Sequence, residues 1–96
     1  MKIQIQSINF SAALDLKQFI NKKMNKLSSL DYNLIKADIF LKLERLESYE
    51  NKMTEIRIHS SKSEYFAKKQ CDTFEQSVDL AIQAIRKQVL KSKGKI

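Results

Sequence analysis

The sequence contains no proline, no tryptophan and a single glycine, Gly94, among its 96 residues. A glycine-rich phosphate loop needs several glycines close together, so this chain has no such loop. One cysteine, Cys71, cannot form an intramolecular disulfide and leaves too few ligands for a cysteine-based metal site. One histidine, His59, has no companion residues that suggest a nucleophile and base. The sequence therefore predicts no enzyme, no cofactor and no metal site.

Long apolar segments are also missing. No run approaches the roughly 18 apolar residues that a membrane-spanning helix needs. The N-terminal residues alternate between polar and apolar types, which is not the pattern of a signal peptide. A single cysteine fits a reducing compartment. We therefore expect a cytoplasmic protein without membrane contact, folded as one domain over residues 1–96.

Charge of one sign is in excess. The chain has 18 Lys and Arg residues against 11 Asp and Glu residues, which gives a formal net charge of +7. The acid-free stretches lie at residues 17–26 and 86–95, with a smaller basic pair at 68–69. Such clusters attract polyanions, and lysine, which dominates here, suits phosphates better than base edges. On charge alone, two alternative interpretations are a set of solvated lysines that keep the protein soluble and a surface that binds acidic membranes.

Residue periodicity in the first third of the chain predicts a strand and then a helix. Residues 2–8 alternate, with Ile3 and Ile5 on one face, as in a half-buried strand. Ser11 is the expected N-cap of the helix that follows. The apolar stripe of this helix has helical spacing and consists of Leu16, Phe19, Ile20 and Leu27. Lys23 falls close to the stripe, where its stem can cover apolar surface.

Three further strands are predicted in the middle of the chain. The first is nine or ten residues long and turns Ile35, Ala37, Ile39, Leu41 and Leu43 inward. After a polar connection over residues 44–51, the next strand turns Thr54, Ile56 and Ile58 inward, with His59 outward. The third covers residues 65–71. Its inward face stays open, because Tyr65, Ala67 and Cys71 compete with Phe66.

A second helix completes the chain, capped by Asp72 or Thr73. Its buried stripe is Phe74, Val78, Ala81, Ile82, Ile85 and Val89. The predicted fold is therefore α+β, in the order β-α-β-β-β-α, with a four-stranded sheet and two helices side by side on one face. Lys22 and Lys26 would then face Lys87 and Lys91 across a groove, and Lys68 and Lys69 would extend this surface. Such a surface suits the phosphates of structured RNA.

Four segments of the sequence resemble a known family. They are the strand KIQIQSINF (residues 2–10), the helical segment KKMNKL (residues 22–27), the strand ADIFLKLE (residues 37–44) and the closing segment of residues 66–95. In this order and spacing they resemble the ribosome hibernation promoting factors and the ribosome-associated inhibitor proteins. The similarity covers essentially the whole chain. Because the sequence stops at Ile96, it resembles the short form of the family.

The resemblance implies a function without enzymatic activity or a small-molecule substrate. Members bind the small (30S) ribosomal subunit and its 16S rRNA in the mRNA/tRNA channel, at the A and P sites. They block translation and hold 70S or dimeric 100S ribosomes inactive during starvation or stationary phase. The short form is expected to be a monomer off the ribosome. The positions that the family's rRNA-binding residues would occupy are Lys22, Lys23, Lys26, Lys68, Lys69, Arg86, Lys87, Lys91 and Lys93.

Two other functions are compatible with the residues. The first is a general structured-RNA-binding protein or RNA chaperone without ribosome specificity, which would bind free duplex RNA as well as it binds 30S subunits. The second is a protein-interaction module whose exposed strand edge pairs with a partner. Binding by such a module would depend weakly on salt, whereas several phosphate contacts give a steep dependence.

Overall fold

The computed structural model describes residues 1–44 and 50–94. The elements are β1 (Lys2–Ile8), α1 (Leu14–Ser28), β2 (Leu34–Leu43), β3 (Lys52–Ser60), β4 (Glu64–Cys71) and α2 (Phe74–Gly94). Their order confirms the predicted β-α-β-β-β-α arrangement. Most of the predicted polar connection, residues 45–49, lies outside the described residues.

The four strands form one mixed sheet in the order β1-β2-β3-β4. β1 runs parallel to β2, so α1 serves as the crossover between them, while the β2–β3 and β3–β4 pairs are antiparallel. Ile39 stands in register with both Ile5 and Ile56, and Ile56 with Ala67. This register aligns the apolar side chains of all four strands on one face of the sheet.

That face and the two helices share one hydrophobic core. Its fully buried side chains come from both helices and the central strands: Ile20, Met24, Ala37, Ile39, Leu41, Ile56, Ile58, Val78, Ala81, Ile85 and Val89. Full burial of a valine, leucine, isoleucine or methionine side chain contributes about 1.5–3 kcal/mol to the stability of the fold. The predicted inward residues of β3 are confirmed, and so is the stripe of α2 except for Phe74, which is only partly buried. Met24 was not part of the predicted α1 stripe, yet it is completely buried.

The predicted cap of α1 is wrong. The helix begins at Leu14 rather than just after Ser11, and the N-cap position is Ala13, whose side chain makes no capping hydrogen bond. Tertiary contacts hold the preceding residues in place instead. The Ala12 N–H donates to Ser7 Oγ at 3.4 Å, and the ring of Phe10 stacks on Phe74 with 4.6 Å between centroids. These contacts delay the start of the helix.

The predicted inward position of Ile35 in β2 is also wrong, since 57% of this residue is exposed. Leu34 takes its place in the core with 4% exposed. The register of β2 with β3 shifts between Leu34 and Lys36, which is the signature of a β-bulge. Beyond the bulge the alternation follows the prediction, and Ala37 is fully buried.

The inward face of β4 consists of Tyr65 and Ala67, whereas Phe66 lies on the opposite face beside the guanidinium of Arg57. The edge of this strand is tied to α2 through Gln88. The Phe66 N–H donates to Gln88 Oε1 at 3.2 Å, and Gln88 Nε2 donates to the Phe66 carbonyl at 2.8 Å. These two bonds fix the side of α2 that faces β4.

The start of α2 is held by hydroxyl groups. The Gln76 N–H donates to Thr73 Oγ1 at 3.1 Å, so Thr73, not Asp72, is the cap. One turn later, Ser77 Oγ donates to the Phe74 carbonyl and lies 2.6 Å from Thr54 Oγ1 in the buried interior. Either hydroxyl can donate the bond between them. This pair fastens α2 to β3.

Candidate nucleic-acid interface

The two helices lie side by side and run in the same direction, because each follows a strand of the same orientation. Two polar contacts join them. Lys23 Nζ of α1 lies 3.4 Å from the Asp79 carboxylate near the start of α2. Farther along, Lys93 Nζ donates to the Leu30 carbonyl just after α1 ends. We call the surface between these two contacts, bordered by Lys22, Lys23 and Lys26 of α1 and by Asp79, Arg86 and Lys93 of α2, the helix groove.

The side of α2 that borders the helix groove carries Asp79, Arg86 and Lys93. These residues are seven apart, which is nearly two helical turns, so they form one stripe. Since Asp79 and Lys93 both contact α1 or its following loop, Arg86 lies on the groove side between them. The seven-residue spacing was visible in the sequence and could have identified this stripe.

Lys91 lies on the other flank of α2, away from the helix groove. It borders a shallow cleft together with Ser63 and Glu64 at the β3–β4 turn, on the flank where Gln88 bonds β4. The expected pairing of Lys91 with α1 lysines across a groove therefore does not match the structure. Lys87, one residue after Arg86, is exposed on the outer surface of α2.

The α1 side of the helix groove carries Lys22 and Lys26, which are both exposed. Lys26 follows Lys23 by three residues and so lies on the flank that faces α2. Lys23 itself is half-buried, with its amine 5.5 Å from the centroid of the Phe19 ring. This position agrees with the expected packing of its stem. Its ion pair with Asp79 offsets its charge inside the groove.

Lys68 and Lys69 lie on opposite faces of the sheet, because successive side chains of a strand alternate. Lys69 stands in register with Thr54, whose side chain contacts α2, so Lys69 is on the helix-bearing face. Lys68 stands in register with Glu55 on the open face. Of this predicted pair, only Lys69 can extend the surface formed by the helices.

Basic side chains on the open face of the sheet contact carboxylates. His59 is on this face as predicted, with Nδ1 2.8 Å from Glu64 and Nε2 3.7 Å from Asp38. Two further pairs at 3.6 Å are Lys36 with Asp38 and Arg57 with Glu55. Positive charge is therefore balanced at the centre of this face. Along the helix groove, by contrast, Lys22, Lys26, Arg86 and Lys93 have no carboxylate partner within residues 1–44 and 50–94.

The side chains of the described residues offer little chemistry for catalysis. Burial, followed by the nearby carboxylates of Glu50 and Asp72, raises the pKa of the Cys71 thiol, with Lys69 acting in the opposite sense. The protonated thiol is a poor nucleophile at neutral pH. Within residues 1–44 and 50–94, no three His, Cys, Asp or Glu side chains are grouped to hold a metal ion. Over the same residues, neither helix has the length and apolar character to cross a membrane.

Comparison with known proteins identifies both a family and a fold. The family model described as "Sigma 54 modulation protein / S30EA ribosomal protein" matches residues 3–96. No curated protein sequence matches the chain significantly. The structure of a ribosomal subunit interface protein from Coxiella burnetii is similar, with a TM-score of 0.87, 20% identity, and 99% of this chain and 100% of that chain covered. The Protein Y N-terminal domain of Thermus thermophilus has a TM-score of 0.81 and 16% identity, covering 96% of this chain and 99% of that one. At these identities the two structures show a shared fold.

Proposed function

This chain belongs to the sigma 54 modulation protein / S30EA ribosomal protein family, and on this basis we propose that it binds the small ribosomal subunit and silences translation. The family membership confirms the resemblance found in the sequence and makes the chain a ribosome-associated protein. The similarity to a structure named as a ribosomal subunit interface protein also supports ribosome binding. Catalysis is not part of the proposed mechanism.

The observation that carries the proposal is a line of cations along the helix groove that have no carboxylate partner among the residues the structure describes. Lys22 and Lys26 on α1 and Arg86 on α2 flank the helix groove, while the central cations of the open sheet face have carboxylate partners. A surface of this kind attracts RNA phosphates over a distance and gains affinity from the release of counterions. We infer that the helix groove faces 16S rRNA and that the protein body blocks the channel.

The finer assignment follows from the family resemblance. The protein would occupy the mRNA/tRNA channel at the A and P sites and hold 70S or 100S ribosomes inactive in the cytoplasm during starvation or stationary phase. It would be a monomer before it binds. Inhibition by occupancy requires only tight binding at a site that mRNA and tRNA also use, which matches a protein whose binding surface consists of lysines and arginine.

The test is co-sedimentation of the purified protein with 30S and 70S particles through sucrose, with and without prebound mRNA and tRNA. We expect stoichiometric pelleting that mRNA and tRNA suppress, and a steep loss of binding as salt rises. Pelleting that mRNA and tRNA leave unchanged would place the site elsewhere on the ribosome. Absence of pelleting at moderate salt would overturn the proposed function.

A general structured-RNA-binding protein remains the second candidate, favoured by the predominance of lysine, which contacts phosphates without reading sequence. The two functions differ in their preference for the ribosome. The experiment that separates them compares the affinity for free duplex RNA with the affinity for 30S subunits at the same salt concentration. Equal affinities would favour the general binder, whereas a strong preference for 30S supports the ribosomal function.

Removal of the Asp79 charge provides a gain-of-binding prediction. In Asp79→Asn, Lys23 loses its ion-pair partner and the helix groove gains one positive charge. We expect 30S affinity to rise a few-fold, with the slope of log affinity against log salt steeper by about one unit. Salt-dependent co-sedimentation measures both quantities. The matched control is Asp38→Asn, which removes the same charge beside Lys36 on the open face. An equal rise in both variants would show that net charge alone is responsible.

A further inference from the structure

One end of the molecule has a polar cleft that the helix groove does not account for. The α1–β2 loop, the β3–β4 turn and the end of α2 meet there around a cleft of about 340 Å³. Its lining includes Tyr32 from the first segment, Ser60 and Lys62 from the second, and Ser92 and Lys93 from the third. Tyr32 is 95% exposed, the highest value among the exposed large apolar side chains of the described residues.

The backbone that carries Tyr32 is fixed on both sides of the ring. The carboxylate of Asp31 accepts the Asn33 N–H at 2.9 Å, and the Asp31 carbonyl accepts the Leu34 N–H at 3.2 Å. The Asn33 carbonyl accepts the Ser61 N–H at 3.0 Å, which joins this loop to the β3–β4 turn. Lys93 reaches the loop from α2. The turn is therefore ordered, although the ring it carries is open to solvent.

We propose that this cleft binds a nucleotide of single-stranded RNA, with the base stacked on Tyr32 and the adjoining phosphates held by Lys62 and Lys93. The inference deepens the proposed function, on which it rests, by naming the form of RNA and the atoms that contact it. Stacking on an aromatic ring accepts any base, because every base has a π-face. The contact would thus add affinity without sequence preference.

The charges around the cleft favour RNA over a protein partner. Two lysines line it, and its one carboxylate, that of Asp31, already accepts a backbone N–H. Serine hydroxyls and the Asn33 side chain add hydrogen-bonding groups that suit ribose and base edges. An exposed aromatic ring flanked by cations is the combination found where proteins hold single strands.

The cleft also continues the helix groove. Lys93 is the last member of the stripe that includes Asp79 and Arg86, and it lines the cleft as well. An RNA strand whose phosphates follow the helix groove past Arg86 would reach the cleft at the end of α2, where Tyr32 of the α1–β2 loop lies. The lysines of the groove would hold the backbone there, and Tyr32 would hold a base that has left its stack.

Because the chain has no tryptophan, Tyr32→Trp creates a single fluorescent reporter in the cleft. Titration with a short oligoadenylate is expected to quench this fluorescence as a base stacks on the indole ring. Heparin, a polyanion without bases, should quench much less at equal charge. The matched control is Leu14→Trp, a site 70% exposed at the start of α1, which should show little quenching with either ligand.

The complementary measurement uses variants without the reporter. Tyr32→Ala should weaken oligoadenylate binding about 5- to 100-fold, which corresponds to the loss of one stacked base, and Tyr32→Phe should bind as the native protein does. Circular dichroism checks that both variants are folded. Native-like affinity of Tyr32→Ala, or equal quenching at positions 32 and 14, would overturn the inference.

Failure of this inference and failure of the proposed function give different results. If the native protein does not pellet with 30S subunits, the proposed function fails, whatever the oligonucleotide does. If the native protein pellets but oligoadenylate does not quench Tyr32→Trp, the nucleotide cleft alone is overturned. Quenching by 30S subunits without quenching by oligoadenylate would assign Tyr32 to a contact that only the assembled subunit offers, which also overturns the assignment to single-stranded RNA.

Discussion

Charge reversal at Lys26 and Arg86 is expected to lower the affinity for 30S subunits by at least about 100-fold, since a hydrogen bond to a charged group contributes about 1.5–3 kcal/mol and 1.4 kcal/mol is tenfold. Both side chains are exposed and flank the helix groove from opposite sides. The fold should therefore survive Lys26→Glu with Arg86→Glu. The measurement is co-sedimentation at several salt concentrations, with circular dichroism to check folding.

The matched control reverses two lysines elsewhere and changes the net charge by the same amount. Lys68 lies on the open face of the sheet, and Lys17 lies roughly 120° around α1 from Lys23. Lys17→Glu with Lys68→Glu should retain most of the binding. We also expect Lys91→Glu to weaken binding less than Arg86→Glu, because Lys91 lies on the β4 flank. Equal losses in all these variants would assign the affinity to net charge instead of the groove.

Truncation of Ile20 is expected to lower the free energy of unfolding by about 2–5 kcal/mol. Ile20 is fully buried in the core, where it fastens α1 to the rest of the protein. A domain of this size has a total stability of about 5–15 kcal/mol, so Ile20→Ala removes a large share. Because α1 forms one side of the helix groove, ribosome binding should weaken at temperatures where the variant begins to unfold. Urea denaturation followed by circular dichroism measures the stability change.

The control for this prediction lies on the same helix. Leu14 is 70% exposed, so Leu14→Ala should change the unfolding free energy by no more than about 0.5 kcal/mol. If the two substitutions cost the same, the assignment of Ile20 to the common core would be wrong. A shift in the urea midpoint without a change in slope would show that Ile20→Ala acts on stability alone.

The fold was predictable wherever a periodic pattern extended over several turns or alternations. Burial of Ala37, Ile39 and Leu41 follows from strand alternation, and burial of Val78 and Ile85 from helical spacing. The predictions failed where one local contact decided the outcome. A bulge exchanged Ile35 for Leu34, and the contacts of Phe10 and Ala12 delayed the start of α1. Neither the bulge nor these contacts can be recognised from the spacing of residues in the sequence.

The candidate site was predictable in composition and less so in arrangement. The sequence identifies the basic residues, but the packed structure decides which carboxylates they contact and on which side of a helix they lie. Asp79 offsets the charge of Lys23, and the bonds of Gln88 to β4 turn Lys91 away from the groove. Tyr32 lies in a loop of mixed polar residues without periodicity, so no pattern marks it. Its significance depends on Lys62 and Lys93, which are distant in sequence.

The bond pair between Gln88 and Phe66 has a consequence for self-association. An exposed edge strand offers free N–H and C=O groups to which another chain can add a strand, and such addition leads to aggregation. At Phe66 both groups are already taken by the amide of a single side chain. This amide occupies the position of a fifth strand at the middle of β4. A chain arriving from solution therefore meets no free hydrogen-bonding groups there, and a concentrated solution of the protein is protected from sheet extension at that residue.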